Sequence, residues 1–421
     1  MTQTVLEEQS DRDATWNFAV NLSDIIFITL GLSLISRDTT LPLLISHLTD
    51  SKIAIGLLPA IASLGLYLPQ LLTASFAEEL RYKKPFVIFV GGLGERLPYA
   101  FIGLAVWAWA VSAPAATLII LLVGIGVATS SAGIATPAWY DMIAKVIPVQ
   151  RRGLWSGLGH GVGALLGVGG AWFVGQILVR YDFPNNFSLL FLLATIFIAI
   201  SWSSIALTRE PPSTATKAKV PLGYYLRQLP SVLARDRNYR RFLISRTVVN
   251  LGAMAGGFFM VFGVQRFTID GAGVGLLTGV LIGSVALMNL VWGIIGDRFG
   301  HKAVLTTAAF AVCAAPFVAF FAPSAFWLGL TFVLMGSYQA AEQTSSLNII
   351  LEFSAPEDRP TYIGMTNTLL APVLILAPLV GGTLATIFGF STLFVVAALV
   401  AAVGALLLTL WVEEPRQHVN H

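Results

Sequence analysis

The amino-acid sequence predicts an all-α membrane protein with twelve transmembrane helices in two pseudo-symmetric six-helix bundles. The first observation is composition: of 421 residues, 56% are hydrophobic and 11% are charged, which is too apolar for an ordinary soluble domain. The second is a series of apolar runs, many of which exceed the roughly 20 residues that cross a bilayer as a helix. The third is an internal repeat that relates the two halves of the chain.

Charged residues and Gly/Pro breaks divide the apolar runs into predicted spans. The connections between the third and fourth spans and between the ninth and tenth are so short that these pairs must form tight hairpins. The predicted spans are 19–46, 53–77, 86–111, 115–147, 153–178, 187–207, 241–268, 272–296, 303–321, 324–353, 361–387 and 390–411.

The placement of basic residues predicts the orientation of the spans. Of the 25 Lys and Arg residues, Lys52, Arg180 and Arg266 lie in connections or span ends on one side, and nineteen lie in connections, tails or span ends on the other. The remaining three, Arg37, Arg96 and Arg246, lie inside spans. Cytoplasmic segments of membrane proteins carry the excess of Lys and Arg, so we expect both termini in the cytoplasm. The acidic start of the chain is unlike a cleavable signal peptide, and we expect it to be retained.

The same pattern predicts five parts of the chain. A cytoplasmic tail of residues 1–17 precedes an N-terminal bundle of residues 18–207. A cytoplasmic linker, 208–240, leads to a C-terminal bundle, 241–411, and a second tail, 412–421. The second part of the linker mixes apolar and basic residues at helical spacing, which is typical of a helix on the anionic inner leaflet. A solvated linker is an equal alternative.

The internal repeat relates the second span to the eighth. Residues 55–58 and 274–277 share an apolar-Gly-Leu-Leu pattern at an offset of 219 residues. The same offset aligns two charged pairs, Glu78 with Asp297 and Lys83 with Lys302. Two related halves in parallel orientation, joined by a polar loop, are therefore expected.

A charged loop between the eighth and ninth spans is the most specific pattern in the sequence. Residues 293–302 place an acid and bases between glycines, with a long apolar run on each side, which suits a tight turn between transmembrane helices. The loop resembles the signature loop of the major facilitator superfamily, which reads Gly, three residues, Asp-Arg, one residue, Gly and then basic residues. The matching residues are Gly293, Asp297, Arg298, Gly300 and Lys302, and His301 stands where a base is usual.

The resemblance to this superfamily extends from about residue 18 to residue 411. It implies a secondary transporter that moves a small solute by alternating access, with a site near the bilayer midplane between the two halves. It also implies that the loop 293–302 holds neighbouring helices together at the cytoplasmic face. The N-terminal half contains a less well matched repeat of this loop, in which Glu78 and Lys83 are the corresponding charged residues. An acid suits a helix N-terminus and a base suits a carboxylate.

Two adjacent charge pairs lie at similar depth in the first and third spans. Arg37-Asp38 lies roughly 20 Å along the helix axis beyond Asp24, and Glu95-Arg96 lies roughly 15 Å beyond Pro85. Charges at mid-depth cost at least a few kcal/mol unless they meet a partner or water. The sequence predicts that the two pairs form one neutral cluster, which either lines a water-filled cavity or only fixes helix packing.

The C-terminal half carries a mid-span carboxylate, Glu342, with no basic residue close in sequence. A carboxylate in apolar surroundings can hold a proton and release it when its exposure changes, as proton-coupled transport requires. We therefore predict proton or substrate binding at Glu342, with a hydrogen-bonded structural carboxyl as the alternative. Tyr338, Gln339 and Gln343 are expected to line the same region.

Other polar residues lie near the predicted ends of spans. We interpret each as a side chain that reaches the membrane interface, with pairing across an inner gate as the alternative. They are Asn21, Asp24, Tyr140, Asp141, Arg246, Asn250 and Glu352.

Two departures leave the subfamily unassigned. Antiporters of the superfamily carry a Gly-Pro, two residues, Gly-Gly element in the fifth helix, whereas residues 377–382 of the eleventh span carry a similar pattern here and the fifth span lacks the proline. The fourth span also lacks the mid-membrane Arg that is typical of drug/proton antiporters. The missing Arg counts against, without excluding, a drug or metabolite efflux antiporter, and the displaced Gly-Pro element leaves the direction of antiport open.

No motif indicates catalysis or a cofactor. The sequence has no Gly-x-x-x-x-Gly-Lys-Ser/Thr phosphate loop, metal-spaced His/Cys set or Gly-x-Ser-x-Gly elbow, and topology accounts for its basic residues. We therefore predict no enzyme, no metal and no nucleic-acid partner. The expected partners are a small-molecule solute, protons and the lipid bilayer, for a monomer in the cell (inner) membrane. A non-transporting sensor and a lipid-handling protein are the alternatives from other classes.

Overall fold

The computed structural model describes residues 2–213, 233–354 and 359–415. Every regular element in these residues is helical, which confirms the all-α class. Residues 214–232, which include the predicted interfacial helix, lie outside the described residues. The backbone alone is described for residues 2–12, 71–72, 74–75, 77–78, 149–150 and 359–361.

The N-terminal half consists of long apolar helices, two of which change character along their length. Proline opens the fourth of them, where its missing amide hydrogen breaks no helical bond. The first helices are Thr2–Leu34, Thr40–Leu48 and Lys52–Glu79. Three segments then follow one another without a gap: Lys84–Phe86, the π-helix Val87–Gly94 and Glu95–Trp109. The last helices of this half are Pro114–Val146, Val149–Arg180 and Asn185–Ala206.

The C-terminal half repeats this pattern. Asp236 and Asp270 cap two helix N-termini, because their carboxylates accept from the backbone amides of Tyr239 and Gly273. The helices are Arg237–Gly252, the 3-10 helix Ala253–Phe258, Phe259–Phe267, Gly271–Phe299, His301–Phe321, Ala325–Phe353 and Arg359–Leu410.

The first span of each half is interrupted. The prediction of a continuous helix over 19–46 is wrong, because the helix stops after Leu34 and restarts at Thr40. In the C-terminal half, Ala253–Phe258 is a tighter 3-10 segment that contains two adjacent glycines. The 219-residue offset of the repeat brings the two interruptions into register. Interrupted helices at corresponding positions of two halves are the best structural pointer to a binding site in such proteins.

Within the described residues, ten helical stretches are long and apolar enough to cross a membrane. One of them, Tyr362–Leu410, contains Gly389, whose φ of 84° breaks the helix between two predicted spans. The 29-residue helix Ala325–Phe353 is not among the ten, since Glu342 and two glutamines make its middle polar. The structure thus confirms a multi-pass helical membrane protein, and the count of twelve stays a prediction.

Packing divides the chain into two compact units. The first unit comprises Met1–Ile35, Gly65–Ala171 and Arg180–Val220, and the second comprises Ser36–Leu64, Trp172–Val179 and Pro221–His421. Two segments of the N-terminal half therefore pack within the second unit. The bundle and linker boundaries inferred from the sequence stay predictions.

Close backbone contacts explain why residues 36–64 belong to the second unit. A Cβ atom on Gly56 would lie 2.3 Å from the carbonyl oxygen of Pro378, so the helices approach as only glycine permits. The Lys52 amine donates to the carbonyl oxygen of Ala385 at 3.0 Å, which satisfies a carbonyl near the end of that helix. This part of the second unit is thus held by backbone approach and a charged cap.

Candidate functional site

An ion pair joins two helices of the second unit. Nη1 of Arg246 donates to Oε1 of Glu342 at 2.7 Å, and Nη2 donates to Oε2. The Arg246 side chain is 3% exposed and the Glu342 side chain is 26% exposed, so the cation is enclosed while the carboxylate stays accessible. Two parallel bonds fix both orientations. Glu342 has no basic residue close in sequence, and its cation comes from a helix remote in sequence.

A hydrogen bond one helical turn away joins the same two helices. The Tyr338 hydroxyl donates to Oδ1 of Asn250 at 2.9 Å, and both residues are more than nine-tenths buried. Asn250 follows Arg246 by four residues and Tyr338 precedes Glu342 by four, which is the spacing of one face on each helix. The ion pair and this bond therefore form a continuous polar strip between antiparallel helices.

The break after Leu34 brings Asp38 to the same strip. Nε2 of Gln339 donates to Oδ2 of Asp38 at 3.3 Å, and the neighbouring Arg37 is exposed. The structure therefore unites Tyr338, Gln339 and Glu342 with Asp38, as members of one unit. We define the second-unit cluster as Asp38, Arg246, Asn250, Tyr338, Gln339 and Glu342.

The helix Gly271–Phe299 supports the opposite side of Ala325–Phe353. Nδ2 of Asn289 donates to Oε1 of Gln343 at 3.1 Å, and the Trp292 indole donates to the carbonyl oxygen of Ser337 at 2.9 Å. Gln343, which the sequence placed with Glu342, thus belongs to this supporting contact. These bonds limit rotation of the helix that carries the cluster.

A second arginine, Arg96, lies inside the first unit. Its guanidinium lies 3.2 Å from Oε2 of Glu95 and 3.5 Å from Oδ1 of Asp24, and it donates to the Ser201 hydroxyl at 3.2 Å. The Ser201 hydroxyl in turn donates to Oδ1 of Asp24 at 2.6 Å. The exposed fractions are 11% for Arg96, 5% for Asp24 and 21% for Glu95. These four residues, the first-unit cluster, combine one guanidinium with two carboxylates.

A π-helix, Val87–Gly94, directly precedes this cluster. Nη1 of Arg96 donates to the carbonyl oxygen of Gly91 at 2.8 Å, and the Trp202 indole donates to that of Ile88 at 3.2 Å. Side chains from outside the π-helix thus donate additional hydrogen bonds to its backbone carbonyl groups. Segments of this kind occur frequently at functional sites.

The sequence predicted one neutral cluster of four residues: Arg37, Asp38, Glu95 and Arg96. The structure assigns the first pair to the second unit and the second pair to the first unit. It also gives Asp38 the partner Gln339 and gives Arg96 the partner Asp24, neither of which the sequence indicated. The joint cluster therefore stays a prediction.

Sequence reasoning missed Asp24, Arg246 and Asn250 as site residues, because each was taken to lie near a helix end. The helix Thr2–Leu34 begins well before the predicted span, so Asp24 lies deep within it. The four-residue spacing of Arg246 and Asn250, just ahead of a Gly-Gly break, was the available signal.

The N-terminal copy of the charged loop is held by a buried glutamate and a buried lysine. The Glu210 carboxylate accepts from the backbone amides of Lys83 at 2.8 Å and Lys84 at 2.7 Å, and from Nζ of Lys145 at 2.9 Å. Nζ of Lys83 lies 3.3 Å from Asp141, and its side chain is 1% exposed. A carboxylate at the start of a helix is favoured by the helix dipole. The first residues of the predicted linker are thus anchored to the first unit.

The C-terminal loop turns at Gly300. Its φ of 93° lies in a region that glycine adopts readily and other residues rarely adopt, so the backbone conformation favours glycine here. His301, which replaces the usual base, is buried, and its Nδ1 lies 3.1 Å from the Ser345 hydroxyl.

The charged residues of this loop are more accessible. Asp297 and Arg298 are exposed, and Lys302 donates to a backbone carbonyl of the last helix at 3.5 Å. A Cβ on Gly293 would meet open space. The side chain of Glu78 lies outside the described residues. A latch that involves these residues stays a prediction.

Comparison with known sequences finds similarity over part of the chain. The profile of the Major Facilitator Superfamily matches residues 242–421. The multi-drug resistance efflux pump PmrA homolog of Lactococcus lactis subsp. lactis (strain IL1403) is 27% identical over 161 residues, which are 37% of this chain. PmrA of Streptococcus pneumoniae serotype 4 is 24% identical over 166 residues, or 38% of this chain. The aligned regions span 39% and 41% of these relatives' own lengths.

Comparison with solved structures covers nearly the whole chain. A mutant of the nucleoside transporter NupG matches with a TM-score of 0.72 at 15% identity, over 93% of this chain and 99% of that one. A D-xylose-proton symporter matches with a TM-score of 0.64 at 12% identity, over 96% and 97%. Identities this low show the fold alone. Sequence similarity to the Major Facilitator Superfamily thus covers the C-terminal part of the chain, and similarity of fold to solved transporters covers nearly all of it.

Proposed function

We propose that the protein is a secondary active transporter that moves a small polar solute across the membrane by alternating access. The second-unit cluster carries this proposal, because it encloses a bidentate ion pair and two further polar contacts within the helices of a membrane protein. Buried ionic groups are expensive there and are retained for function by default. Two helix interruptions in register support the same location, because residues 36–39 of the first and Ala253–Phe258 of the second both belong to the second unit.

The geometry divides the roles within this cluster. Arg246 is enclosed and commits both terminal nitrogens to Glu342, so it orients the carboxylate. Glu342 keeps an accessible edge, and Gln339 and Asp38 present further polar atoms. A solute with hydroxyl, amine or amide groups would bind to these oxygens and amides while Arg246 stays in place.

The proposal includes orientation and coupling. The basic residues on one side of the spans support a multi-pass protein of the cell (inner) membrane with both termini cytoplasmic, acting as a monomer. Protons are the proposed coupling ion. The cytoplasmic latch would use Gly293, Asp297, Arg298, Gly300 and Lys302 with the copy at Glu78 and Lys83.

A thermal-shift screen of the purified protein against a solute library identifies a candidate solute, because a ligand of the folded state raises its apparent stability. Flux of that solute is then measured in proteoliposomes. We expect wild-type flux and at least a tenfold loss with Glu342→Gln, which keeps the shape but loses the charge. Asp50→Asn, an exposed carboxylate of the same unit, is the matched control and should transport normally. Solute binding without flux in the wild type would contradict transport.

A drug efflux pump is the second candidate, and the similarity to the two PmrA proteins favours it. Under this reading the solutes are drugs and the direction is outward. Energised inside-out vesicles incubated with a fluorescent drug-like dye in the medium distinguish the candidates. Dye accumulation that Glu342→Gln abolishes would support efflux, whereas accumulation equal to that of empty vesicles would exclude it.

A further inference from the structure

The first-unit cluster has no role in the proposed solute site, yet it encloses an arginine and two carboxyl groups within helices that are long and apolar enough to cross a membrane. Asp24 lies near the middle of the candidate span Asp13–Leu34 and is 4% exposed. Its cation is Arg96, and the same guanidinium also contacts Glu95. Two carboxylates thus draw on one positive charge, and like charges at close range disfavour ionisation of both. A proton on one of them removes this competition.

We propose that Asp24 is the group that takes up and releases the coupling proton, with Arg96 as the partner that it gives up on protonation. The inference rests on the proposed transport function and names the coupling residue. A proton from water adds to the Asp24 carboxylate, which becomes neutral. The Arg96 guanidinium then pairs with Glu95 alone. The net charge of the cluster rises by one, and the only covalent bond that breaks is the one that held the transferred proton.

The contacts of Asp24 suit this exchange. Both Arg96 and Ser201 contact Oδ1, so Oδ2 is the oxygen that would carry the proton. Ser201 already holds Oδ1 at 2.6 Å, so the side chain keeps its place in both states. By contrast, protonation of Glu342 would break a pair in which both oxygens are engaged by Arg246.

The groups that face Asp24 come from three packed helices. Glu95 and Arg96 belong to Glu95–Trp109, Ser201 to Asn185–Ala206, and the Trp139 indole, within hydrogen-bonding reach, to Pro114–Val146. A fourth helix, Val149–Arg180, packs its Gly159 against Ile25, the residue after Asp24, and carries the exposed His160 on the next position. Titration of Asp24 is thus expected to depend chiefly on Arg96 and Glu95.

Infrared difference spectroscopy tests the inference on the full-length protein in liposomes, with protons as the ligand. Spectra are recorded between acidic and alkaline buffer, and a buried carboxylic acid gives a C=O band distinct from that of exposed acids. We expect Asp24→Asn to remove one such band. Asp182→Asn, an exposed carboxylate of the same unit, should leave it unchanged. A band that persists in Asp24→Asn would overturn the assignment.

Ser201→Ala provides an independent variant that keeps the carboxylate. Loss of its hydrogen bond to the anion should raise the midpoint of the same band by roughly half a pH unit to one unit. An unmoved midpoint would contradict the proposal even if Asp24→Asn failed to fold. Because these spectra need no solute, an intact Asp24 band in a protein without flux would refute the proposed function and not the proton site.

Discussion

Each half of the chain contains a membrane-embedded arginine, and the two arginines are used differently. Arg246 directs both terminal nitrogens to one carboxylate, which makes a neutral pair of fixed geometry. Arg96 divides its donors among Glu95, Asp24, Ser201 and a backbone carbonyl. The same residue type thus makes one bidentate pair in the second unit and a shared set of contacts in the first unit, and the roles that we propose for the two clusters rest on this difference.

The two cytoplasmic loops differ in a comparable way. Lys83 is 1% exposed and lies against Asp141, beside helix amides that Glu210 caps. Its repeat counterpart Lys302 makes one long bond to a backbone carbonyl. The N-terminal copy, which matches the superfamily pattern less well in sequence, thus has the more enclosed lysine.

Arg246→Met should give the largest effect, because it leaves Glu342 in the site without its cation. The expected loss is about 3–5 kcal/mol of unfolding free energy, with loss of flux. The double variant Arg246→Met with Glu342→Leu should recover most of the stability and none of the flux, since an apolar pair of similar volume is often neutral. Thermal unfolding in detergent measures both. An Arg246→Met variant as stable as the wild type would show that the ion pair with Glu342 does not contribute to stability.

Arg96→Gln should give the next largest effect, and one that depends on pH. With Arg96 removed, Asp24 and Glu95 are buried as anions in alkaline buffer, and the expected loss is about 2–3 kcal/mol. In acidic buffer both gain protons and the penalty falls, so the variant should approach the wild type as pH decreases. Thermal unfolding across a pH series provides the measurement. An equal loss at every pH would refute the competition between the two carboxylates.

Lys83→Met and Lys302→Met should give the smallest of the three effects, a difference in unfolding free energy between the two loops. Because Lys83 is buried with a charged partner, its replacement should cost about 1–2 kcal/mol, whereas Lys302→Met should cost less than about 1 kcal/mol. Methionine retains the length of the side chain, so the comparison isolates the charge. Similar unfolding temperatures for the two variants would mean that burial of Lys83 carries no energetic weight.

The sequence was sufficient for the membrane class, for the loop at 293–302 and for the polar stretch around Glu342, since each depends on local pattern. Pairing between helices was not predictable, because it depends on how packed helices are rotated about their axes. Arg246 lies 96 residues from Glu342, and Asp24 lies 177 residues from Ser201.

A helix interruption was predictable only where the sequence contains residues that disfavour a regular helix, such as adjacent glycines. Gly256 and Gly257 mark the 3-10 segment of the C-terminal half. The break after Leu34 contains neither glycine nor proline. Its residues Ser36 to Thr39 therefore gave no sign that the predicted span 19–46 would be interrupted. The break coincides with the point at which the chain passes from the first unit, which ends at Ile35, to the second, which begins at Ser36.

Transport by Asp24→Asn and Glu342→Gln, compared in the same proteoliposomes, tests the account most directly. The solute found by thermal shift is followed in two modes: accumulation driven by a proton gradient, and counterflow without one. The account predicts that Asp24→Asn loses accumulation and keeps counterflow, whereas Glu342→Gln loses both. Full accumulation with Asp24→Asn, or counterflow that survives Glu342→Gln, would contradict the division of solute and proton between the two clusters.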